Sequence, residues 1–274
     1  MIHSTAIIDP SAKVDPTAEI GPYVIVGPDV TIGAGVKIQA HATVESHTDI
    51  GDGTVIFSHA AVGGAPQDLK YAGEPTRLTL GKKNIIREYA TLNRGTPGGG
   101  GATTVGDGNL IMAYVHIAHD CRIGNGVIFA NGAQLAGHVT IEDHARLGGF
   151  VAVHQFCRIG ALAMIGAVSP VGSDVPPFTL CAGPRDRSGL YGLNVIGLRR
   201  SGVSRDAIGA LKAAYKRIFM ERGGDLSDAL TDAETEFGQV PQVARMIEFI
   251  RSSKRGVYRH IASEEESRAE GAEF

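Results

Sequence analysis

Residues 8–38 read IDPSAKVDPTAEIGPYVIVGPDVTIGAGVKI, and an aliphatic residue stands at every sixth place: Ile8, Val14, Ile20, Val26, Ile32 and Ile38. The beat continues through Val44, Ile50 and Ile56 to Val62, returns at Leu80, Ile86 and Leu92, and runs again from Val105 to Val171. Four places after each beat sits a small or β-branched residue, such as Ala12, Ala18, Val24 or Val30, and the place directly after a beat is often glycine, as at Gly21, Gly27 and Gly33. A period of six fits neither the 3.6 residues of a helical turn nor a meander of hairpins. It fits a coil of three short strands, with the aliphatic residues pointing inward, the small ones lining the inner corners, and glycine freeing the backbone to turn. Three hexads complete one coil, so residues 18 apart stack on neighbouring coils about 4.8 Å apart.

The chain has 274 residues, 43% of them hydrophobic and none of them Trp, which suits a slender mainly β core of small aliphatics. No apolar run approaches the ~20 residues of a membrane-spanning helix, and MIHSTAIIDP lacks a basic stretch followed by an apolar core. A cytoplasmic protein without an integral membrane segment is expected. A net charge of −3 gives no general attraction to nucleic acid, so none is expected as a partner. Cys121 and Cys157 occupy small inward places two coils apart, roughly 10 Å, too far for a disulfide. Cys181 follows the last hexad with no evident partner.

The rhythm breaks at 63–79 and at the glycine-rich 95–104, both expected to be loops extruded from the prism. After DVPPF (174–178) the hexads stop. Helical spacing starts at Ser204, a suitable N-cap, with Gly223-Gly224 as a stop; a second helix is expected over about 226–237 and a third after Pro241. The expected organisation is a β-helix over 1–190, a helical domain over 191–260 that closes one end of the solenoid, and an acidic, disordered tail over 261–274.

Histidines carry the sharpest chemical signal. Counting by 18 places His119, Gly137-His138 and His154-Gln155 on one edge of three consecutive coils, with His116 close to the corner and Asp120 adjacent. Spacing alone leaves two chemistries open, since neutral imidazole serves as a general base or as a metal ligand. His41 and His59 are also 18 apart and read as solvated or interfacial.

The segments QDLKYAGEPT (67–76), IREYATLNRGT (86–96), HIAHDC (116–121), AGHVTI (136–141), VHQFCRIGA (153–161), DVPPF and GLNVIGLRRSG (192–202) resemble, in order, the UDP-N-acetylglucosamine O-acyltransferases that open lipid A biosynthesis. The resemblance spans about residues 4–259. It implies a left-handed parallel β-helix with a C-terminal helical domain, a homotrimer with active sites between subunits, acyl carrier protein as donor, a UDP-sugar as acceptor, and neither cofactor nor metal. It also implies His119 as general base, Asp120 as the residue that orients it, and the Gly137 N–H as oxyanion donor. Gln67, Asp68, Lys70, His116, His138, His154, Gln155, Asn194 and Arg200 are implied as sugar-nucleotide contacts, and Ala167 as the gauge of acyl length. The pattern departs at Ile196, where some members carry an acidic residue, and at Ser201, where an arginine often follows Arg200. Arg185, Arg187, Arg199, Arg200, Lys212, Lys216 and Arg217 form a basic group suited to an acidic carrier protein.

Rival readings differ in visible features. The sister enzyme that N-acylates the next intermediate carries a uridine-binding domain before its solenoid, whereas here hexads start at Ile8. A γ-class carbonic anhydrase would hold zinc on three histidines but lacks the QDLKYAGEPT loop. A structural or ice-binding solenoid would show outward threonine ladders, and the outward places here are heterogeneous. A 3-amino acceptor sugar would use the same base and pocket as the 3-hydroxyl one.

Overall fold

The computed structural model describes residues 1–184, 188–221 and 225–261. The chain forms a left-handed parallel β-helix with a C-terminal helical domain, against the right-handed preference of ordinary parallel crossovers. Three sheets form the faces of a prism. The first face holds nine strands beginning with Ile7–Ile8, Ile25–Val26 and Thr43–Val44; the second holds eight beginning with Lys13–Val14 and Thr31–Ile32; the third holds ten, including Glu19–Ile20 and Lys37–Ile38. Register follows the 18-residue count wherever no loop intervenes, as in Ile7↔Ile25, Lys13↔Thr31 and Glu19↔Lys37.

Each two-residue strand sends one side chain in and one out. The inward members Ile32, Ile56, Ile86, Ile111, Ile117, Phe129, Leu135 and Leu147 stack into one continuous buried core. The corner residues Val24, Ala42, Ala60, Val115, Ala133 and Val151 are buried beside them. Cys121, Cys157 and Cys181 are all free and buried, and burial pushes their thiols up to about 12, about 11 and about 12. Cys181 pairs in register with Ile165, so the third face extends past the last regular hexad.

Corners impose a cost. Sixteen non-glycine residues among those described adopt the left-handed conformation, with φ between 54° and 70°, at about 1–2 kcal/mol each. Asp and His tolerate this conformation better than most residues. They hold seven of these positions: Asp29, His41, His47, His59, Asp120, His138 and His144. Many of the histidines therefore have a backbone reason to stand where they do. His119 does not; it precedes the left-handed Asp120.

The first edge joins the first face to the second and carries Asp29, His47, Asp120, His138 and Phe156. The second edge, between second and third faces, carries Lys83, His144, Leu162 and Phe178. Along the third edge, Tyr23, His41, His59, Tyr89 and Tyr114 form a column of rings with 5.1 Å between successive centroids and interplanar angles of 3–9°.

Helices α1 (Val195–Arg200), α2 (Arg205–Phe219), α3 (Leu226–Phe237) and α4 (Pro241–Arg251) form the cap. Ser204 is the N-cap of α2, its Oγ accepting the Ala207 N–H at 3.2 Å. Ile208, Leu211, Ala214 and Ile218 of α2 join Leu230 and Ala233 of α3 and Val243, Met246 and Ile247 of α4 in a second core. No helix among the described residues is long and apolar enough to cross a membrane. Gly223-Gly224, Arg185, Arg187 and the acidic tail from Ala262 lie outside the described residues.

Candidate active site

The two loops leave the prism at the same edge. The first spans 65–76, between Ala61–Gly64 and Arg77–Leu80; the second spans 94–101, between Thr91–Asn93 and Ala102–Val105. Both are shorter than the breaks in the hexads suggested, because Arg77–Leu80 pairs with Thr48–Ile50 and Ala102–Val105 pairs in turn with Arg77–Leu80. Both connect the first face to the second, so they sit on the first edge, one and two coils before the turn that holds His119.

His119 follows the strand His116–Ile117. Its Nδ1 lies 2.7 Å from Asp120 Oδ2, with the histidine side chain 13% exposed and the carboxylate 1% exposed. An ionised carboxylate only accepts, so Nδ1 carries the hydrogen and Nε2 keeps its lone pair. Asp120 is held from behind: Thr96 N–H donates to Oδ1 at 2.8 Å, Thr96 Oγ1 donates to Oδ2 at 2.7 Å, and Asp120 N–H donates to Thr103 Oγ1 at 2.7 Å.

Gly137 stacks on His119 one coil further. A Cβ there would lie 2.6 Å from His119 Cε1 and 2.8 Å from Nε2, so any side chain at 137 would displace the imidazole. The Gly137 N–H donates to no acceptor among the described residues. His138 stands T-shaped to His119 at 5.2 Å, stacks on Phe156 at 4.5 Å, and brings Nε2 within 3.7 Å of Asp120 Oδ2. His119, Asp120 and His138 offer ligand atoms within 4.8 Å of one another, the one group among the described residues that could hold a metal. Asp120 is the weak member of that set, because both its oxygens already accept from Thr96.

His116 lies on the first face, its Nδ1 2.7 Å from Thr91 Oγ1 and its ring in register with Gln134. Burial, and then electrostatic coupling to the neighbouring His119, holds its pKa below that of a free imidazole. His154 and Gln155 are exposed one coil past Gly137. His154 lines an open cavity of about 470 Å³ with Ala152, Pro170 and Tyr258. Gln67 and Lys70 are exposed on the first loop, where Asp68 Oδ1 accepts the Lys70 N–H at 3.0 Å.

Three expected site residues stand apart from this edge within one chain. Asn194 lies at the second edge, its Nδ2 donating to Leu162 O at 2.9 Å and its Oδ1 capping α1 through Gly197 N–H at 3.0 Å. Arg200 ends α1, exposed, and Ser201 is the C-cap of that helix. Ala167 lies at the third edge, exposed, across the first face from His119 and about 13 Å along the axis by coil count. In the basic group, Arg217 is not free, since it faces Glu221, Asp232 and Glu236. The sequence reading missed Thr91, Arg94, Thr96 and Phe156. Phe156 was reachable, being 18 residues after His138; Arg94 and Thr96 interrupt the repeat and had no column to reveal them.

Comparison with known proteins gives one consistent picture. Residues 174–258 match the family model described as UDP N-acetylglucosamine O-acyltransferase, domain 2, and 102–137 match the bacterial transferase hexapeptide repeat. The chain is 52% identical to the acyl-[acyl-carrier-protein]–UDP-N-acetylglucosamine O-acyltransferase of Thermodesulfovibrio yellowstonii over 94% of this chain and 99% of that one. It is 50% identical to the enzyme of the same name from Burkholderia orbicola, again over 94% and 99%. The solved structure of Francisella novicida UDP-N-acetylglucosamine acyltransferase superposes with a TM-score of 0.90 at 37% identity, covering 94% of each chain.

Proposed function

Because this chain belongs to the acyl-[acyl-carrier-protein]–UDP-N-acetylglucosamine O-acyltransferases, we propose that it transfers a (3-hydroxy)acyl chain from acyl carrier protein to the 3-hydroxyl of UDP-N-acetylglucosamine, the first step of lipid A biosynthesis. The observation that carries the mechanism is the His119–Asp120 pair, with Nδ1 committed to the carboxylate and Nε2 free above Gly137.

An alcohol near pKa ~15 attacks a thioester slowly unless a base removes its proton as the C–O bond forms. His119 Nε2 takes the 3-hydroxyl proton while the oxygen attacks the thioester carbonyl carbon. Negative charge then gathers on the carbonyl oxygen, and the unoccupied Gly137 N–H donates to it. Collapse breaks the C–S bond, and the Nε2 proton passes to the departing sulfur. Asp120 stays ionised and stabilises the imidazolium between the two steps. Gln67, Asp68, Lys70, His116, His138, His154 and Gln155 line the acceptor side of the same edge. None of these steps calls for a metal, and activity is expected to persist in chelator.

The separation of Asn194 and Arg200 from His119 supports a homotrimer. The second face presents Lys13, Asp49, Arg77, Arg122 and Arg158 outward, whereas the third, apart from Glu19, Lys37 and Arg146, presents Val55, Ile85, Leu110, Ile128 and Met164, and the first, beside Thr43, Thr91, His116 and Gln134, presents Ile7, Ile25, Ala61, Ala152 and Pro170. Three prisms meeting at their third edges pack each first face on a neighbour's third face. That arrangement sets the first edge of one copy against the second edge of the next, so Asn194 and Arg200 of one copy complete the site around His119 of another. Asn194 still has one Nδ2 hydrogen for a ligand, and the Arg200 fork suits a diphosphate. Arg199, Lys212 and Lys216 remain for the cytoplasmic carrier protein.

Mass spectrometry of the products formed from a series of acyl carrier proteins, with the 3-hydroxyl and 3-amino sugar nucleotides as competing acceptors, tests this function. A 3-O-acyl product from the hydroxyl sugar is expected. Acylation of the amino sugar alone, or activity abolished by chelator and restored by zinc, would overturn it.

A further inference from the structure

Asn93, Arg94 and Thr96 are polar, consecutive apart from Gly95, and each only 6% exposed. Their side chains reach in opposite directions. Toward the first loop, Asn93 Nδ2 donates to Ala65 O at 3.0 Å, and Arg94 Nη1 donates to Gly63 O at 2.7 Å and Ser46 Oγ at 3.1 Å. Arg94 Nη2 donates to Tyr71 OH at 3.1 Å, and that hydroxyl donates in turn to Glu74 O at 2.7 Å. Toward the catalytic turn, Thr96 holds both oxygens of Asp120. Gly95 is packed so tightly on the backbone of Ala102 that no side chain fits.

Arg94 has no carboxylate partner among the described residues, and its buried Nε has no acceptor there. A buried guanidinium facing only carbonyls and hydroxyls is an expensive way to gain stability. Its rigid fork is well suited to tying the loop hydroxyl of Tyr71 to fixed oxygens of Gly63 and Ser46 on the edge where the loop leaves.

We propose that residues 93–96 form a positioning strut with two arms: Arg94 fixes the loop carrying Gln67, Asp68 and Lys70 for the acceptor nucleotide, and Thr96 fixes Asp120 and through it the His119 imidazole. The strut rests on the acyltransferase reading above and adds residues that touch neither substrate nor the reacting atoms. The two arms make separable contributions. The Thr96 arm governs turnover, because an imidazole displaced by about 1 Å costs on the order of a hundredfold. The Arg94 arm governs acceptor binding, because the loop it anchors carries acceptor contacts and no reacting group.

Steady-state kinetics with UDP-N-acetylglucosamine and an acyl carrier protein donor separates the arms. Thr96→Val is expected to lower kcat about tenfold to a hundredfold with KM for the sugar nucleotide unchanged, and Thr96→Ser to restore kcat. Arg94→Lys is expected to raise that KM about tenfold, with kcat close to wild type. Thr96→Val added to His119→Ala should cost nothing further, since Thr96 acts only through the imidazole. If Thr96→Val does not fold, Thr96→Ala carries the same expectation. Wild-type kcat in the threonine variant, failure of serine to rescue it, or additivity with His119→Ala would overturn the Thr96 arm. A purely kcat effect of Arg94→Lys would overturn the other. A wild-type chain that acylates no sugar nucleotide would instead overturn the functional reading on which the strut rests.

Discussion

The first and third edges are built from the same backbone device, left-handed residues stacked coil on coil, and both place histidine at some of these positions. On the third edge the rings of Tyr23, His41, His59, Tyr89 and Tyr114 lie flat on one another. On the first edge the stack is broken: His119 is tied to a buried carboxylate, His138 stands across it, and two loops crowd the corner. A repeat supplies shelves at fixed height, and on the first edge the shelf residue Asp120 is a buried acid that makes a base of the histidine before it. Geometry alone is therefore a poor guide to which histidine is chemical.

His119→Ala tests that contrast most severely. Turnover should fall by about two to four orders of magnitude, while circular dichroism and sugar-nucleotide binding stay near wild type. Near-normal turnover would dissolve the distinction between the edges.

The third edge answers to a different perturbation. In Tyr89→Asp/Tyr114→Asp the backbone remains comfortable, because Asp accepts the left-handed conformation, yet three copies would bring six carboxylates together. Light scattering should show particles of one chain in place of three, with activity down about tenfold or more. A trimer of normal activity would mean the third edge does not face the axis.

Ala167→Met gives a smaller and more selective effect. If the acyl groove crosses the first face from His119 toward the third edge, the bulkier side chain should shift kcat/KM toward shorter donors, at about 1–3 kcal/mol per methylene excluded. An unchanged donor ranking would place the end of the groove elsewhere.

The smallest effect concerns pH. His116 has its pKa lowered mainly by burial, so between the folded and unfolded values the unfolded chain binds more protons. Stability then falls as pH drops through about 6.5, the unfolded value, and levels off below the folded one. Melting curves between pH 7.5 and about 5 should show a shallower loss in His116→Gln than in wild type; parallel losses would assign the acid sensitivity to other groups.

Much of this was legible in the residue order. One inward aliphatic per strand is enough to define a three-faced coil, and counting by 18 aligns His119, Gly137 and Gln155 before any coordinates are consulted. The ring column was only half legible. Tyr23, His41 and His59 keep the count, but loop 65–76 inserts 12 residues and loop 94–101 another 7, so Tyr89 and Tyr114 follow at intervals of 30 and 25. The same insertions hide Arg94 and Thr96, since periodicity locates only residues that obey the period. Asn194 was named for the nucleotide; its capping of α1 through Gly197 N–H is a local pattern, whereas its bond to Leu162 O, 32 residues away, is one that no local pattern encodes.

The solenoid's two ends are unlike. Its last coil is covered by the antiparallel strand Gly189–Leu193 and by the helices, whereas no such cover lies over its first coil, where Met1 and Ile2 are each more than half exposed. In a stack where each rung touches only its neighbours, opening spreads rung by rung from whichever end is loose. The molecule is fastened at one end like a zipper, so thermal fluctuation enters at residue 1 and is progressively spent before it reaches the middle rungs. Amide exchange should trace a slope of increasing protection from Ile8 toward Ile111 rather than a single cooperative block. His119 sits beyond that slope, on a rung that opens only after those before it have parted.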